Sequence, residues 1–307
     1  MKNTILILIS LLLLTGCMEE KEVTSLQDRG GVKYEINSEV GFTGKYVEFY
    51  KDGQKKVEEH LKLGKRHGLY LEWYKNGQKI EETNYKDGKK EGVWTKWYKN
   101  GQKWYKGNYK DGKKEGLEIW RGDLGYWDTD LVKNEGNYKD GKKEGLWIEW
   151  SDWGGLGGSY RMKGEGNYKN GKKEGLWTNW YESGQKGYET NYKNGKINGR
   201  HIRWYENGQK GYERNWKNGK QEGVLTQWYG NGQKESEVYY KDGKEEGLWS
   251  AWYENGQKVY EGNYKDGKKE GPWTYWVKEG FIRSYKTYKE GNITKTETYK
   301  DSKLVKP

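Results

Sequence analysis

Glycine recurs in register along this chain, at Gly44, Gly68, Gly92, Gly116, Gly145, Gly175, Gly199, Gly223, Gly247 and Gly271, and every interval but two is 24 residues. A fixed period of this length marks a chain of identical supersecondary units, each burying surface against its neighbours. The unit from Gly92 reads Gly92-Val93-Trp94-Thr95-Lys96-Trp97-Tyr98-Lys99-Asn100-Gly101-Gln102-Lys103 and continues through Asn108-Tyr109-Lys110-Asp111-Gly112-Lys113. Asn-Gly and Asp-Gly tolerate positive φ at both centres of a type I′ turn, whose twist suits paired strands. Asn100-Gly101 alternates with Asp111-Gly112, and Asn255-Gly256 with Asp266-Gly267. Between these turns lie runs of about six to eight residues rich in Trp, Tyr and Thr, all good strand formers. The pattern predicts an all-β fold of tandem 24-residue β-hairpin repeats, forming a long, twisted antiparallel meander or solenoid-like sheet. A glycine about every ten residues excludes long helices.

Only 32% of the residues are hydrophobic and 34% are charged, a balance that ordinarily leaves a chain disordered. The 18 Trp and 28 Tyr supply the missing burial, since aromatic side chains bury large areas and accept Lys stems along their flanks. Alternation along a strand places Val93 and Trp97 on one face and Trp94 and Tyr98 on the other, so both faces carry aromatics.

The first residues have a different character. Lys2 precedes the apolar run Ile5 to Leu14, which is too short to span a bilayer as a helix and ends in Leu14-Thr15-Gly16-Cys17. This pattern resembles the lipobox of bacterial lipoproteins. The resemblance implies cleavage after Gly16, acylation of Cys17 and a membrane anchor of two or more chains. Cys17 is the single cysteine, so no disulfide framework exists. The expected divisions are a signal peptide over 1–16, a tether over 17–31 with its first strand near Val32 to Ile36, a repeat domain over 32–300 and a tail over 301–307. Met18 rather than Asp after the cysteine leans toward the outer membrane, in an envelope with two membranes.

The hairpin Gly247-Leu248-Trp249-Ser250-Ala251-Trp252-Tyr253-Glu254-Asn255-Gly256-Gln257-Lys258 resembles the MORN-repeat variant, and the opening member from Phe42 to Gly53 is similar. The likeness runs over about residues 42 to 300. It implies the hairpin fold, and it brings the label of YwqK-type antitoxins, proteins that neutralise a toxin. MORN repeats also occur beside phosphatidylinositol phosphate kinase domains, for which a chain filled by repeats has no room. Two units depart from the pattern. One carries Trp120-Arg121-Gly122-Asp123-Leu124-Gly125-Tyr126-Trp127, the next Trp150-Ser151-Asp152-Trp153-Gly154-Gly155, which lengthens the repeats to 29 and 30 residues. Both insertions fall in the same half of the hairpin and should protrude on one edge. They are candidate binding loops, through Trp120, Arg121, Tyr126, Trp127, Trp150 and Trp153, or tolerated insertions at hairpin tips.

Catalytic chemistry is sparse. His60, His67 and His201 are the only histidines and have no metal-ligand spacing, so neither a metal nor a cofactor is expected. Glu91 and Glu115 recur identically in successive repeats and read as solvated, turn-flanking charges rather than a unique acid pair. The remaining glycines read as turn glycines. The collective feature is charge: Lys86 to Glu91, Lys110 to Glu115, Lys139 to Glu144 and Lys265 to Glu270 should stack on one edge as a basic ladder, in keeping with a net charge of +11. That ladder either binds an anionic partner or keeps a thin sheet soluble. Export makes nucleic acid an improbable partner and favours anionic headgroups, envelope polymers or an acidic protein. The expected function is therefore a non-catalytic envelope lipoprotein that binds a protein or an anionic component. A toxin-neutralising role is the alternative, and an envelope carbohydrate-active enzyme, which would need one unique acid pair, is the third.

Overall fold

The structure, a computed structural model, describes residues 20–121, 132–155, 158–300 and 303–305. The chain forms two compact units, Met1–Gln102 and Lys103–Pro307. No helix occurs among the described residues. In the first unit the strands Gly44–Phe49, Lys55–Lys62, Lys65–Trp73, Lys79–Lys86 and Lys89–Trp97 pair antiparallel, each with the next. The second unit is itself an antiparallel meander, from Lys103–Lys110 to Lys303–Val305. Ordered strand begins earlier than a tether over 17–31 allows. Glu22–Val23 lies parallel to Gly44–Phe49, where the Lys45 N–H donates to the Lys21 carbonyl at 2.8 Å, and Gln27–Arg29 pairs with Val32–Tyr34, whose Lys33 is itself bonded to Gly64 and Phe42.

The two Gly-containing turns of a repeat differ in kind, contrary to the uniform type I′ expectation. At Asp87-Gly88 both residues have positive φ, 50° and 81°, as in type I′. At Asn76-Gly77 only Gly77 does, at 80°. There the Gly77 N–H donates to Tyr74 O and the Tyr74 N–H to Gln78 O, which is a type I turn closed by a left-handed glycine. Successive turns of a meander fall on opposite rims, so each rim carries one turn type.

The glycines that open each repeat are not turn glycines. Gly145 lies inside the strand Lys142–Gly155 with φ of 69°, and between Asn137↔Glu144 and Gly136↔Trp147 its strand has two more residues than its partner. This bulge re-aims the Trp that follows.

The core is a cross-strand row of indoles standing on glycines. Trp147, Trp177 and Trp273 are fully buried, and their rings lie over Gly136, Gly166 and Gly262 of the neighbouring strands. Each indole N–H donates to a carbonyl of that strand, at Asn137, Asn167 and Asn263, over 3.0 to 3.1 Å. Tyr138, Tyr168 and Tyr264 meet the same indoles edge-on. Lys143, Lys173 and Lys269 place ammonium groups 3.7 to 4.1 Å from the ring centres. A second set of indoles is covered differently. Lys186, Lys210, Lys234 and Lys258 reach over Trp204, Trp228, Trp252 and Trp276 while pairing with Glu189, Glu213, Glu237 and Glu261. Trp94 under Lys90 and Lys96, and Trp97 under Lys79, belong to these two separate sets, as strand alternation requires.

Candidate functional site

The aromatic insertions are not open loops where the structure describes them. Trp120 ends the strand Gly116–Arg121 packed on Tyr105, ring centres 4.8 Å apart, and donates through Nε1 to Glu118. Arg121 and Trp150 are half-buried. Trp150 and Trp153 sit in a lengthened hairpin whose strands, Lys142–Gly155 and Gly158–Lys169, stay paired to Gly155↔Gly158. The Gly-rich segment read as a binding loop therefore extends the ladder, because glycines there leave the backbone free to pair while Trp and Tyr suit strand. Cys17, Tyr126 and Trp127 lie outside the described residues, and Trp153 is described in its backbone alone.

The two rims carry opposite electrostatics. On the type I rim each Tyr hydroxyl donates to the carbonyl of the Trp that closes the corresponding strand of the next repeat. Tyr50 reaches Trp73 O at 2.7 Å, Tyr181 reaches Trp204 O at 2.8 Å and Tyr229 reaches Trp252 O at 2.8 Å. The lysine after that turn is neutralised by its glutamate neighbour, as in Lys210–Glu213 at 2.8 Å. On the type I′ rim two lysines face each other across six successive turns, Lys139↔Lys142, Lys169↔Lys172, Lys193↔Lys196, Lys217↔Lys220, Lys241↔Lys244 and Lys265↔Lys268, whereas the next turn sets Lys289 opposite Asn292. All twelve are exposed, and none makes an ion pair among the described residues. Like charges directly opposite destabilise a strand pair.

The glutamates nearby do not relieve them. Instead of standing solvated, each caps the turn of the following repeat. Glu144 accepts from the Asn170 N–H at 2.8 Å, Glu174 from Asn194 at 2.8 Å and Glu246 from Asp266 at 3.0 Å. Three turns carry Asn170, Asn194 and Asn218 where others carry Asp, which raises the local positive charge further. Successive repeats are two strand spacings, roughly 10 Å, apart. Between two such turns lies a cleft of about 340 Å³ lined by Lys113, Lys139 and Lys142 with Asp140, Glu144 and Asn170.

Histidine and acid chemistry is dispersed. His60 contacts Glu20 and the Leu69 carbonyl, whereas His67 contacts Asp87. Among the described residues no group of three His, Cys, Asp or Glu could hold a metal. The lysine run was legible in the sequence. The diversion of glutamate to backbone was not, because each Glu caps a turn 20 or more positions away.

Five segments, residues 66–87, 90–111, 173–194, 221–242 and 245–266, match the family model of the MORN repeat variant. No curated protein matches the chain.

Proposed function

The chain carries MORN-variant repeats, and from that premise we propose that it is a non-catalytic, envelope-anchored lipoprotein whose lysine rim binds an anionic polymer or headgroup surface. One observation carries the binding reading: six successive pairs of exposed lysines without carboxylate partners among the described residues, one pair at every second strand connection. A rim that served solubility alone gains nothing from diverting its glutamates to backbone caps. A regular row of weak cationic sites gains avidity with every repeat that a linear anion engages. The anchoring reading rests on the lipobox-like Leu14-Thr15-Gly16-Cys17.

Replacing Lys169, Lys172, Lys193 and Lys196 by Gln removes four of these charges. Each lysine near an anionic surface contributes about 1 kcal/mol, so binding to phosphatidylglycerol vesicles or to a polyphosphate chain is expected to weaken at least a hundredfold. Raising salt should weaken the wild type likewise. Co-sedimentation indifferent to both changes would remove the rim as the binding surface. For the anchor, Cys17→Ser is expected to move the protein from the membrane to the soluble fraction and to abolish labelling by radioactive palmitate. A wild-type protein that takes up no fatty acid would exclude the lipoprotein reading.

A further inference from the structure

In the second unit the indole position passes to Glu118 in one repeat, to His201 in another and to Leu225 in the next, and His201 is set opposite an arginine. Through the second unit the cross-strand register runs Trp147↔Gly166, Gly166↔Trp177, Trp177↔Thr190, Thr190↔His201 and His201↔Arg214. Farther along it resumes with Val238↔Trp249, Trp249↔Gly262 and Gly262↔Trp273. His201 thus occupies an indole position and Arg214 a glycine or valine position. Beside His201 lies an open groove of about 420 Å³ lined by Tyr188, Thr190, Tyr192, His201, Tyr212 and Arg214, with Glu149 and Lys173 at its boundary.

The polar groups here are unevenly satisfied. His201 is buried, its Nδ1 3.0 Å from the Thr190 hydroxyl and its Nε2 2.6 Å from the Tyr212 hydroxyl, so both ring nitrogens are engaged. Burial, and then the charge of Arg214, push its pKa down to about 4, which keeps it neutral at ordinary pH. Arg214 is packed against the rings of Tyr212 and Trp216, 4.7 and 5.1 Å from their centroids. Its Nε is buried without a hydrogen-bond partner, and no carboxylate pairs with it among the described residues. Elsewhere Arg66 has Glu59 and Arg200 has Glu213, each at 2.6 Å. Arg214 as a whole is half-buried, so its terminal nitrogens stay open to the groove while the buried Nε lacks a partner, which is costly.

We propose that this groove binds a small ring-bearing monocarboxylate, held by the Arg214 guanidinium and stacked among the tyrosines. The planar guanidinium fork matches a carboxylate in two parallel hydrogen bonds, and aromatic walls suit a flat ring or the apolar face of a sugar. The volume lies within the usual range for small-molecule sites. Glu149 is paired with Lys143 at 2.5 Å and with Lys173 at 3.9 Å and accepts from the Tyr168 hydroxyl at 3.0 Å, so the lysines at the boundary are already matched, and inorganic phosphate offers no ring to the aromatic walls. The site is independent of the lysine rim, and either can fail without the other.

The test is calorimetric titration of the purified full chain with benzoate, glucuronate and inorganic phosphate. Saturable binding of benzoate or glucuronate, tighter than phosphate, is expected. Arg214→Val copies the residue that Val238 supplies in the next repeat, and should weaken that binding at least tenfold without lowering Tm. His201→Trp copies Trp177, which already stands opposite Thr190, and should abolish binding by filling the groove. Absence of saturable carboxylate binding, phosphate binding more tightly than either carboxylate, or unchanged affinity in Arg214→Val would each overturn the proposal.

Discussion

Trp177→Ala is expected to destabilise the second unit by about 3–5 kcal/mol, read as a fall in the urea midpoint. The indole is 1% exposed, donates to the Asn167 carbonyl at 3.0 Å, meets Tyr168 edge-on at 5.1 Å and carries the Lys173 ammonium on its face. Truncation therefore removes packing, a hydrogen bond and a cation–π contact together, and the residues opposite, Gly166 and Thr190, are too small to fill the gap. The complementary change is Gly166→Ala, whose new Cβ would lie 2.3 Å from the indole ring. Overpacking of that kind costs about 1–3 kcal/mol. Gly175→Ala is the control: a Cβ there meets nothing within 4 Å, so only the strain of a φ of 73° applies, about 1 kcal/mol. If Trp177→Ala lost less than Gly175→Ala, the indole row would not be the core.

In the first unit the corresponding expectation concerns Glu59, which is fully buried and is gripped by Lys33 and, at 2.6 Å, by Arg66. Arg66 in turn lies 4.4 Å from the Tyr70 ring centre. Glu59→Gln keeps the shape but leaves two cations facing a neutral amide, and breaking a buried ion network in this way costs about 3–5 kcal/mol. Because Lys33 and Arg66 keep partial contact with water, the lower end of that range is expected. Removing all three charges, as Glu59→Val with Lys33→Met and Arg66→Met, should recover most of the loss, since well-packed apolar groups replace such networks at little cost. Thermal denaturation of the single and triple variants separates the outcomes. A triple variant no more stable than Glu59→Gln would mean that the charges contribute net stability.

The repeat, the hairpins and the aromatic core were legible because each is signalled within a dozen residues, as in Gly247 to Lys258. What escaped depends on longer reach. The Asn-Gly dipeptide is the same at Asn76-Gly77 and Asn194-Gly195, yet Asn194 has positive φ and Asn76 does not. The difference lies in the flanking Tyr74 and Gln78, which close the longer turn. Gly154, Gly155 and Gly158 read as loop although their backbone continues a ladder set by flanking strands. Glu144 and Glu174 serve turns 26 and 20 residues downstream, a pairing that no local pattern displays. The His201 site did leave a trace, since Gly199-Arg200-His201 departs from the Gly-Leu-Trp of Gly175 and Gly247. Its meaning emerged only when register set Arg214 opposite.

The hydrogen bonds that join one repeat to the next have a constant reach: 23 residues for Tyr205 to Trp228 and Tyr229 to Trp252, and 20 for Asp242 to Glu222 and Asp266 to Glu246. Between units of 24 residues each such donor thus finds its acceptor at the same count forward or back, and only the lengthened units stretch it, as in the 26 residues from Asn170 to Glu144. Excising or duplicating one 24-residue segment restores the same set of partners at the new junction. Unequal recombination within a gene of this kind changes the reach of its product without creating a mismatched interface, so the number of repeats is free to follow the size of whatever the rim must span.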